Sequence, residues 1–263
     1  LYNYNFKGYS FIFIMMEGME SKSILGVRID NFNNNFEDIL ERLKNKENAL
    51  IITLDIHQLL RVRSNKKLKE TINNASLVIA SHHTIAKGYN FIHKEKLEYM
   101  KDFIFFSNIL SYMDKKKMSM FLFGNEEKYF FSILEKIKKI YPNITNIGSF
   151  ENTKNKTELE KAFIGLKKID PNMLLIYMPF KKSLYWFSDN KENLKVKLCV
   201  PVSRPLDGFA GKTESPNRNI LESNKEEIFY LKKNIFRIFL YFDYIFFWIL
   251  VLFEKLTLKK NKK

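Results

Sequence analysis

Lys117 to Gly148 constrains the fold of this chain more than any other stretch, because it reads as strand, helix and strand in direct succession. Ser119-Met120-Phe121-Leu122-Phe123-Gly124 is an apolar run stopped by glycine, the pattern of a strand buried on both faces of a parallel sheet. Asn125 then offers an N-cap, with Glu126 and Glu127 in the first turn, where carboxylates suit the positive end of the helix dipole. Phe130, Phe131, Leu134 and Ile137 follow at helical spacing, Tyr141-Pro142-Asn143 ends the helix, and Ile144 to Ile147 supplies the next strand. The sum is a βαβ unit.

The same alternation continues on both sides. Ile24 to Asp30 reads as a strand, Phe36 to Lys44 as a helix, Ala49 to Leu54 as a buried strand, Ile56 to Asn74 as a helix interrupted near Ser64, and Leu77 to Ala80 as another strand. A helix from Ser107 to Lys116 leads into the central unit. After it come a helix from Thr157 to Lys168, a strand at Met173 to Tyr177, a helix near Lys181 to Ser188 and a strand at Lys197 to Val202. Alternation of this kind predicts a Rossmann-like α/β domain: a mainly parallel sheet with helices on both faces, its ligands at the C-terminal ends of the strands.

Charge and composition limit the function. A net charge of +15 on 263 residues points to an anionic partner, which could be nucleic acid, anionic lipid or a phosphorylated substrate. Solvated lysines spread over the surface would give the same total. No zinc-finger spacing, RNP-like aromatic string or basic heptad array is present, so nucleic acid is not the expected partner. The single Cys199 lies in a strand and excludes a disulfide framework or a cysteine-rich metal site; no metal site is visible, and no cofactor is expected.

The ends read differently from the middle. Phe11 to Ile14 is too short to cross a membrane and lacks a cleavage site, and Met15, Met16 and Met19 are possible starts, so residues 1–20 are expected to be an extension without a fold. Residues 21–220 form the α/β domain. Residues 221–263 form an amphipathic helical appendage, aromatic and basic, in which Phe236, Phe239, Tyr244, Phe246, Phe247, Trp248 and Phe253 stand among Lys232, Lys233 and Arg237. A span reaching back to Ile235 would place Arg237 and Asp243 in hydrocarbon, which is costly. A helix lying on anionic lipid is the expectation, with a helix packed on the domain as the alternative.

Several strings share the order and spacing of one family. Ile24-Leu25-Gly26-Val27-Arg28-Ile29-Asp30, Phe121-Leu122-Phe123-Gly124 with Tyr141-Pro142, Pro171-Asn172-Met173-Leu174-Leu175 and Leu206-Asp207-Gly208-Phe209-Ala210-Gly211 are similar to successive segments of the WecG/TagA/CpsF glycosyltransferases. The resemblance runs from Ile24 to about Phe253. It implies transfer of N-acetylmannosamine or a related hexose from a UDP-sugar to a polyprenyl-diphosphate-linked acceptor. It also implies a peripheral location on the cytoplasmic face of a bacterial inner membrane, with a homo-oligomer possible.

The family's site strings carry over unevenly. "TxN" corresponds to Thr53-Leu54-Asp55, which keeps the threonine and exchanges amide for carboxylate. The aspartate of "DG", proposed as catalytic base, corresponds to Ser81, followed by His82. The arginine of "RVxGxD" has no counterpart, since Tyr99 to Ser107 holds only Lys101. "GSPKQE" becomes Met178-Pro179-Phe180-Lys181-Lys182-Ser183, and "GVGGAFD" becomes Pro201-Val202-Ser203-Arg204-Pro205-Leu206-Asp207, so glycines that admit a nucleotide closely are lost.

Inverting sugar transfer needs a base for the acceptor hydroxyl and cations or amides for the departing diphosphate. His57, His82 and His83 fall near loop positions; His82 is the expected base, with Asp55 orienting it and Thr53 beside it. Ser81, His83, Lys181, Lys182, Arg204, Asp207 and Arg237 are the expected substrate-binding residues. The bland alternative makes His82 and His83 ordinary loop or helix-start residues and the lysines solvated. The rival function is a catalytically degenerate relative that keeps fold and membrane contact as a binding or scaffold protein.

Overall fold

The computed structural model describes residues 5–6, 9–10, 19–33, 35–153, 155–223, 225–233 and 240–260. In chain order the strands are β1 (Asn5–Phe6), β2 (Tyr9–Ser10), β3 (Glu20–Ile24), β4 (Val27–Asn31), β5 (Ala49–Leu54), β6 (Leu77–Ala80), β7 (Ser119–Gly124), β8 (Thr145–Glu151), β9 (Met173–Tyr177) and β10 (Leu198–Pro201). The helices are α1 (Phe36–Leu43), α2 (Ile56–Arg63), α3 (Lys66–Asn73), α4 (His83–His93), α5 (Asp102–Lys115), α6 (Phe130–Ile140), α7 (Lys156–Ile169), α8 (Phe180–Asn190), α9 (Arg204–Phe209), α10 (Arg218–Glu222), α11 (Glu226–Lys233) and α12 (Tyr241–Lys260).

Six strands form one parallel sheet in the order β6-β5-β10-β9-β7-β8. Strands β5, β6, β7, β9 and β10 are largely apolar because both faces are covered, whereas the edge strand β8 is mixed, carrying Thr145, Ser149 and Glu151. Along β5, Leu50, Ile52 and Leu54 join one apolar cluster with α2, α3, α4, α7, α8 and α12, while Ala49 and Ile51 join the other with α1, α5, α6 and α9. The expected α/β architecture with a C-terminal helix is therefore the observed one. The chain leaves β5 outward to β6, whereas β10 is reached inward from β9, so the connections diverge between β5 and β10. A crevice opens at such a point, outside the carboxyl ends of the strands.

Three local expectations are corrected. Ile24 to Asp30 is not one strand but the turn and second arm of a hairpin, β3 pairing antiparallel with β4. Leu25 and Gly26 adopt φ of 54° and 73°, the left-handed pair that closes a two-residue hairpin. Buried Asp30 fastens this hairpin to the sheet: its Oδ2 accepts the Val78 N–H at 2.8 Å and pairs with Arg28 at 2.6 Å. Asn125 does not cap a helix; a 3₁₀ turn over Glu127–Tyr129 precedes α6 instead. Residues 83–93, unassigned from sequence, form α4.

Helix α12 lies against α2 and α4. Its inward stripe is Asp243, Phe247, Val251 and Glu254, with Phe247 and Val251 fully buried. Glu254 Oε2 accepts the Leu25 N–H at 2.8 Å, and Asp243 Oδ2 meets His57 Nδ1 at 2.6 Å. Gly88 makes the approach possible, since a Cβ there would lie 2.7 Å from the Phe247 ring. Phe242, Ile245, Phe246, Ile249, Leu252, Phe253 and Leu256 remain exposed on the outward side. Both carboxylates of the helix thus point inward and the outward face is apolar, ending at Lys259 and Lys260. No helix among the described residues is long and apolar enough to cross a membrane.

Candidate active site

The crevice follows from how β5 and β10 end. Asp55 leaves β5 in extended conformation and caps α2: its Oδ1 accepts the Gln58 N–H at 2.7 Å, and Gln58 Oε1 accepts the Asp55 N–H at 2.9 Å. This reciprocal box uses Oδ1 and leaves Oδ2 for a cation. The cation is Arg204, the first residue of α9, whose Nη2 donates to Asp55 Oδ2 and lies 3.5 Å from Asp102 Oδ2. Pro205 in the first turn favours the start of α9 at that point. Between these groups is an open crevice lined by Thr53, Asp102, Phe180, Ser183, Pro201 and Arg204 among others.

Its electrostatics are set by burial against one guanidinium. Burial pushes the Asp55 carboxyl up, but Arg204, the Gln58 N–H and His57 outweigh it and hold the group below the usual carboxylate range. For Asp102 burial wins. Its carboxyl is pushed up by desolvation, Arg204 only partly offsets this, and the Asp55 charge adds to it, with the Thr53 and Ser81 hydroxyls alongside. Asp102 Oδ1 is buried without an aligned hydrogen-bond partner among the described residues.

The loop after β6 adjoins this rim. Ser81 is buried and its N–H donates to Leu54 C=O at 2.8 Å. His82 caps α4, Nδ1 accepting the Thr84 N–H at 3.2 Å, so the ring hydrogen is assigned to Nε2, which faces the Tyr244 hydroxyl at 3.3 Å. Burial first and the neighbouring His83 second pull His82 down to about 3. His83 packs against the His82 ring at 4.3 Å, and burial, Lys87 and Lys101 lower its pKa too. His57 is clasped by Asp243 and lies edge-on to Tyr244. The two inward polar residues at the start of α12 therefore touch the histidines of both loops.

Thr53, Asp55 and Arg204 lie together at the ends of β5 and β10, but Asp55 pairs with Arg204 and caps α2 rather than orienting His82, whose ring nitrogens meet the Thr84 N–H and the Tyr244 hydroxyl. His82 and His83 stand beside them without lining the crevice. Lys181 and Lys182 sit exposed on the first turn of α8, Lys181 over the Tyr185 ring at 5.5 Å, away from the lining. Asp207 lies further along α9, where the Tyr177 hydroxyl donates to it at 2.6 Å and Lys212 is 3.5 Å away. Arg237 falls outside the described residues. Lys101, at the string where an arginine was sought, is buried, donates to Leu221 C=O and pairs with Glu226 at 2.6 Å.

Asp102 was missed from sequence. An aspartate beside a lysine reads as a solvated helix start, and nothing in the string Tyr99 to Ser107 marks it as buried. Asp243 and Tyr244 were missed as site neighbours because their contacts span 186 and 162 residues.

No curated protein matches the chain. The profile of the Glycosyl transferase WecG/TagA/CpsF family matches residues 22–261, nearly the whole length. With the parallel sheet, the crevice between β5 and β10 and the helix that closes the chain, this coverage shows that the protein belongs to the WecG/TagA/CpsF family of glycosyltransferases.

Proposed function

We propose that the crevice between β5 and β10 transfers an N-acetylhexosamine, N-acetylmannosamine or a near relative, from a UDP-sugar to a polyprenyl-diphosphate-linked acceptor. The observation that carries this is Arg204, held at the strand ends between Asp55 and Asp102 with Thr53 in the same lining. A guanidinium forks onto phosphate oxygens as readily as onto carboxylates. On donor binding it would exchange Asp55 and Asp102 for the UDP diphosphate and stabilise the charge left on the departing nucleotide. The Thr53 hydroxyl stands ready to donate to a phosphate or sugar oxygen. His82, the base expected from sequence, has its Nδ1 lone pair engaged by the Thr84 N–H and is better suited to holding the loop.

The outward face of α12 supports a peripheral seat on the cytoplasmic face of a bacterial inner membrane, where a polyprenyl acceptor resides. Buried apolar area plus lysine attraction to anionic headgroups would hold it there. Calorimetry with a UDP-N-acetylhexosamine, followed by transfer to a polyprenyl-diphosphate acceptor in vesicles, tests the reading; binding with turnover supports it.

One observation favours the second reading, a binding or scaffold protein without turnover. Met178, Pro201 and Ser203 occupy the sheet end where the family strings carry glycines, and Arg204 already has two carboxylates. Saturable binding with no transfer would select that reading.

A further inference from the structure

We propose that Asp102 is the general base of the transfer reaction, and that Arg204 controls its basicity by moving from Asp102 to the diphosphate when donor binds. The inference rests on the glycosyl-transfer reading and adds to it the residue that takes the proton.

The geometry comes first. A base must reach the crevice, keep a lone pair available and avoid being consumed by the fold. Asp102 lines the crevice, and its Oδ1 is buried without an aligned partner. It opens α5, a helix of 14 residues packed into the core through Phe105, Phe106 and Ile109, so its Cα is rigidly placed. Of the other acidic or imidazole groups nearby, His57 Nε2 and His83 Nδ1 are also buried without an aligned partner among the described residues, but neither ring lines the crevice. Asp55 Oδ1 caps α2 and its Oδ2 pairs with Arg204; His82 Nδ1 caps α4; His57 Nδ1 is taken by Asp243. Ser81, aligned with the aspartate of the "DG" string, has its hydroxyl beside Asp102. The carboxylate absent at 81 is thus supplied to the same corner from 102.

The groups facing Asp102 are Arg204 from α9, Asp55 from the start of α2, and the hydroxyls of Thr53 and Ser81 from the ends of β5 and β6. Arg204 is the only one of these that favours the ionised form by opposite charge. When it turns to the diphosphate, Asp102 keeps its burial and its repulsion from Asp55 and loses the attraction, so its affinity for a proton rises. The step then balances. The acceptor hydroxyl oxygen bonds to the anomeric carbon, its proton passes to the Asp102 carboxylate, and the bond from the anomeric carbon to the β-phosphate oxygen breaks. That electron pair leaves with UDP, stabilised by Arg204. The proton on Asp102 returns to solvent when product departs.

Two measurements test this. The first compares wild type with Asp102→Asn by calorimetric titration with UDP-N-acetylglucosamine, on the acid side of the pH optimum of transfer and in buffers of different ionisation enthalpy. The diphosphate of that probe has no group titrating there, so net proton uptake on binding is expected; it should fall to nothing as pH rises to the optimum, where Asp102 stays ionised and can act as base, and be absent throughout in Asp102→Asn. Binding with no proton uptake, or the same uptake in Asp102→Asn, overturns the proposal. The second is a split between binding and turnover. Asp102→Asn, checked for a native melt, should bind the probe as tightly as wild type or more tightly, because Arg204 loses a competitor, while kcat falls about a hundredfold or more. His82→Asn should lose less than tenfold. Full turnover in Asp102→Asn overturns the assignment and leaves the transferase reading standing; absence of probe binding by wild type removes both.

Discussion

Gly88→Ala should lower stability although glycine is a poor helix residue, and the reason lies in how α12 sits on α4. Propensity alone favours alanine in a helix interior by about 1 kcal/mol. The new Cβ, however, would lie 2.7 Å and 2.9 Å from the Phe247 ring and 3.1 Å from Ile24 Cδ1. Carbon pairs prefer separations of about 3.5–4.0 Å, so the ring must retreat by roughly 0.8–1 Å. Phe247 is fully buried and cannot retreat without moving α12. Overpacking of this kind costs about 1–3 kcal/mol, which leaves a net loss of about 0–2 kcal/mol. A double-mutant cycle separates the terms. Phe247→Ala alone should cost about 3–5 kcal/mol, and in that background Gly88→Ala should become stabilising by about 1 kcal/mol, because the obstacle is gone. The coupling, about 1–3 kcal/mol, is read from urea unfolding. A stabilising Gly88→Ala in the wild-type background, or no coupling, would refute a docked α12.

Further outcomes follow from the rim and the helix. Phe253→Glu changes only the outward side of α12, where Phe253 is 64% exposed, so stability should stay within about 0.5 kcal/mol while co-sedimentation with anionic vesicles falls; unchanged sedimentation would count against the membrane seat. His82 is held neutral, its pKa pulled from 6.5 to about 3, so the unfolded chain binds more protons across that interval. Stability should therefore fall as pH drops below about 6.5, by at most about 1.4 kcal/mol per pH unit for this group, and His82→Asn, which keeps a capping acceptor, should flatten the profile between pH 6.5 and 4. Asp55→Ala removes a helix cap and leaves Arg204 with one carboxylate, and a loss of about 1–2 kcal/mol in urea unfolding is expected. Cys199 is buried and its thiol is pushed up by burial, so a thiol reagent at pH 8 should label it only after denaturation.

The inner strands of the parallel sheet were legible in the sequence because they are buried on both faces. Leu77 to Ala80 and Met173 to Tyr177 are uninterrupted apolar runs, Ala49 to Leu54 is broken only by Thr53, and each is too short for a core helix. Helix α4 was not legible, since Thr84, Lys87, Gly88 and Asn90 break the apolar period. Its helicity depends on Ile85, Ala86 and Tyr89 being covered, and on a partner helix whose contact lies more than 150 residues away in sequence. Leu25-Gly26 carried a turn signal that the apolar run around it obscured.

The site was legible in its parts and not in its wiring. Thr53 lies near the end of one strand with Asp55 just past it, and Arg204 follows another, so their place at the sheet ends could be inferred from alternation. The pairing of Asp55 with Arg204, 149 residues apart, required the order of strands. Lys181 and Lys182 were read from charge and from their string as cations for phosphate or as solvated residues; they stand exposed, while Phe180 and Ser183 of the same helix start line the crevice. Asp102 is the converse case, an acidic residue whose burial only the packed structure reveals.

The central claim is that the crevice between β5 and β10 holds the nucleotide of a sugar donor, and a crystal structure of the protein with UDP tests it most directly. The account predicts the diphosphate beside Thr53, within hydrogen-bond reach of an Arg204 that has turned away from Asp55 and Asp102. A nucleotide bound elsewhere, with Arg204 still paired to both carboxylates, would contradict it.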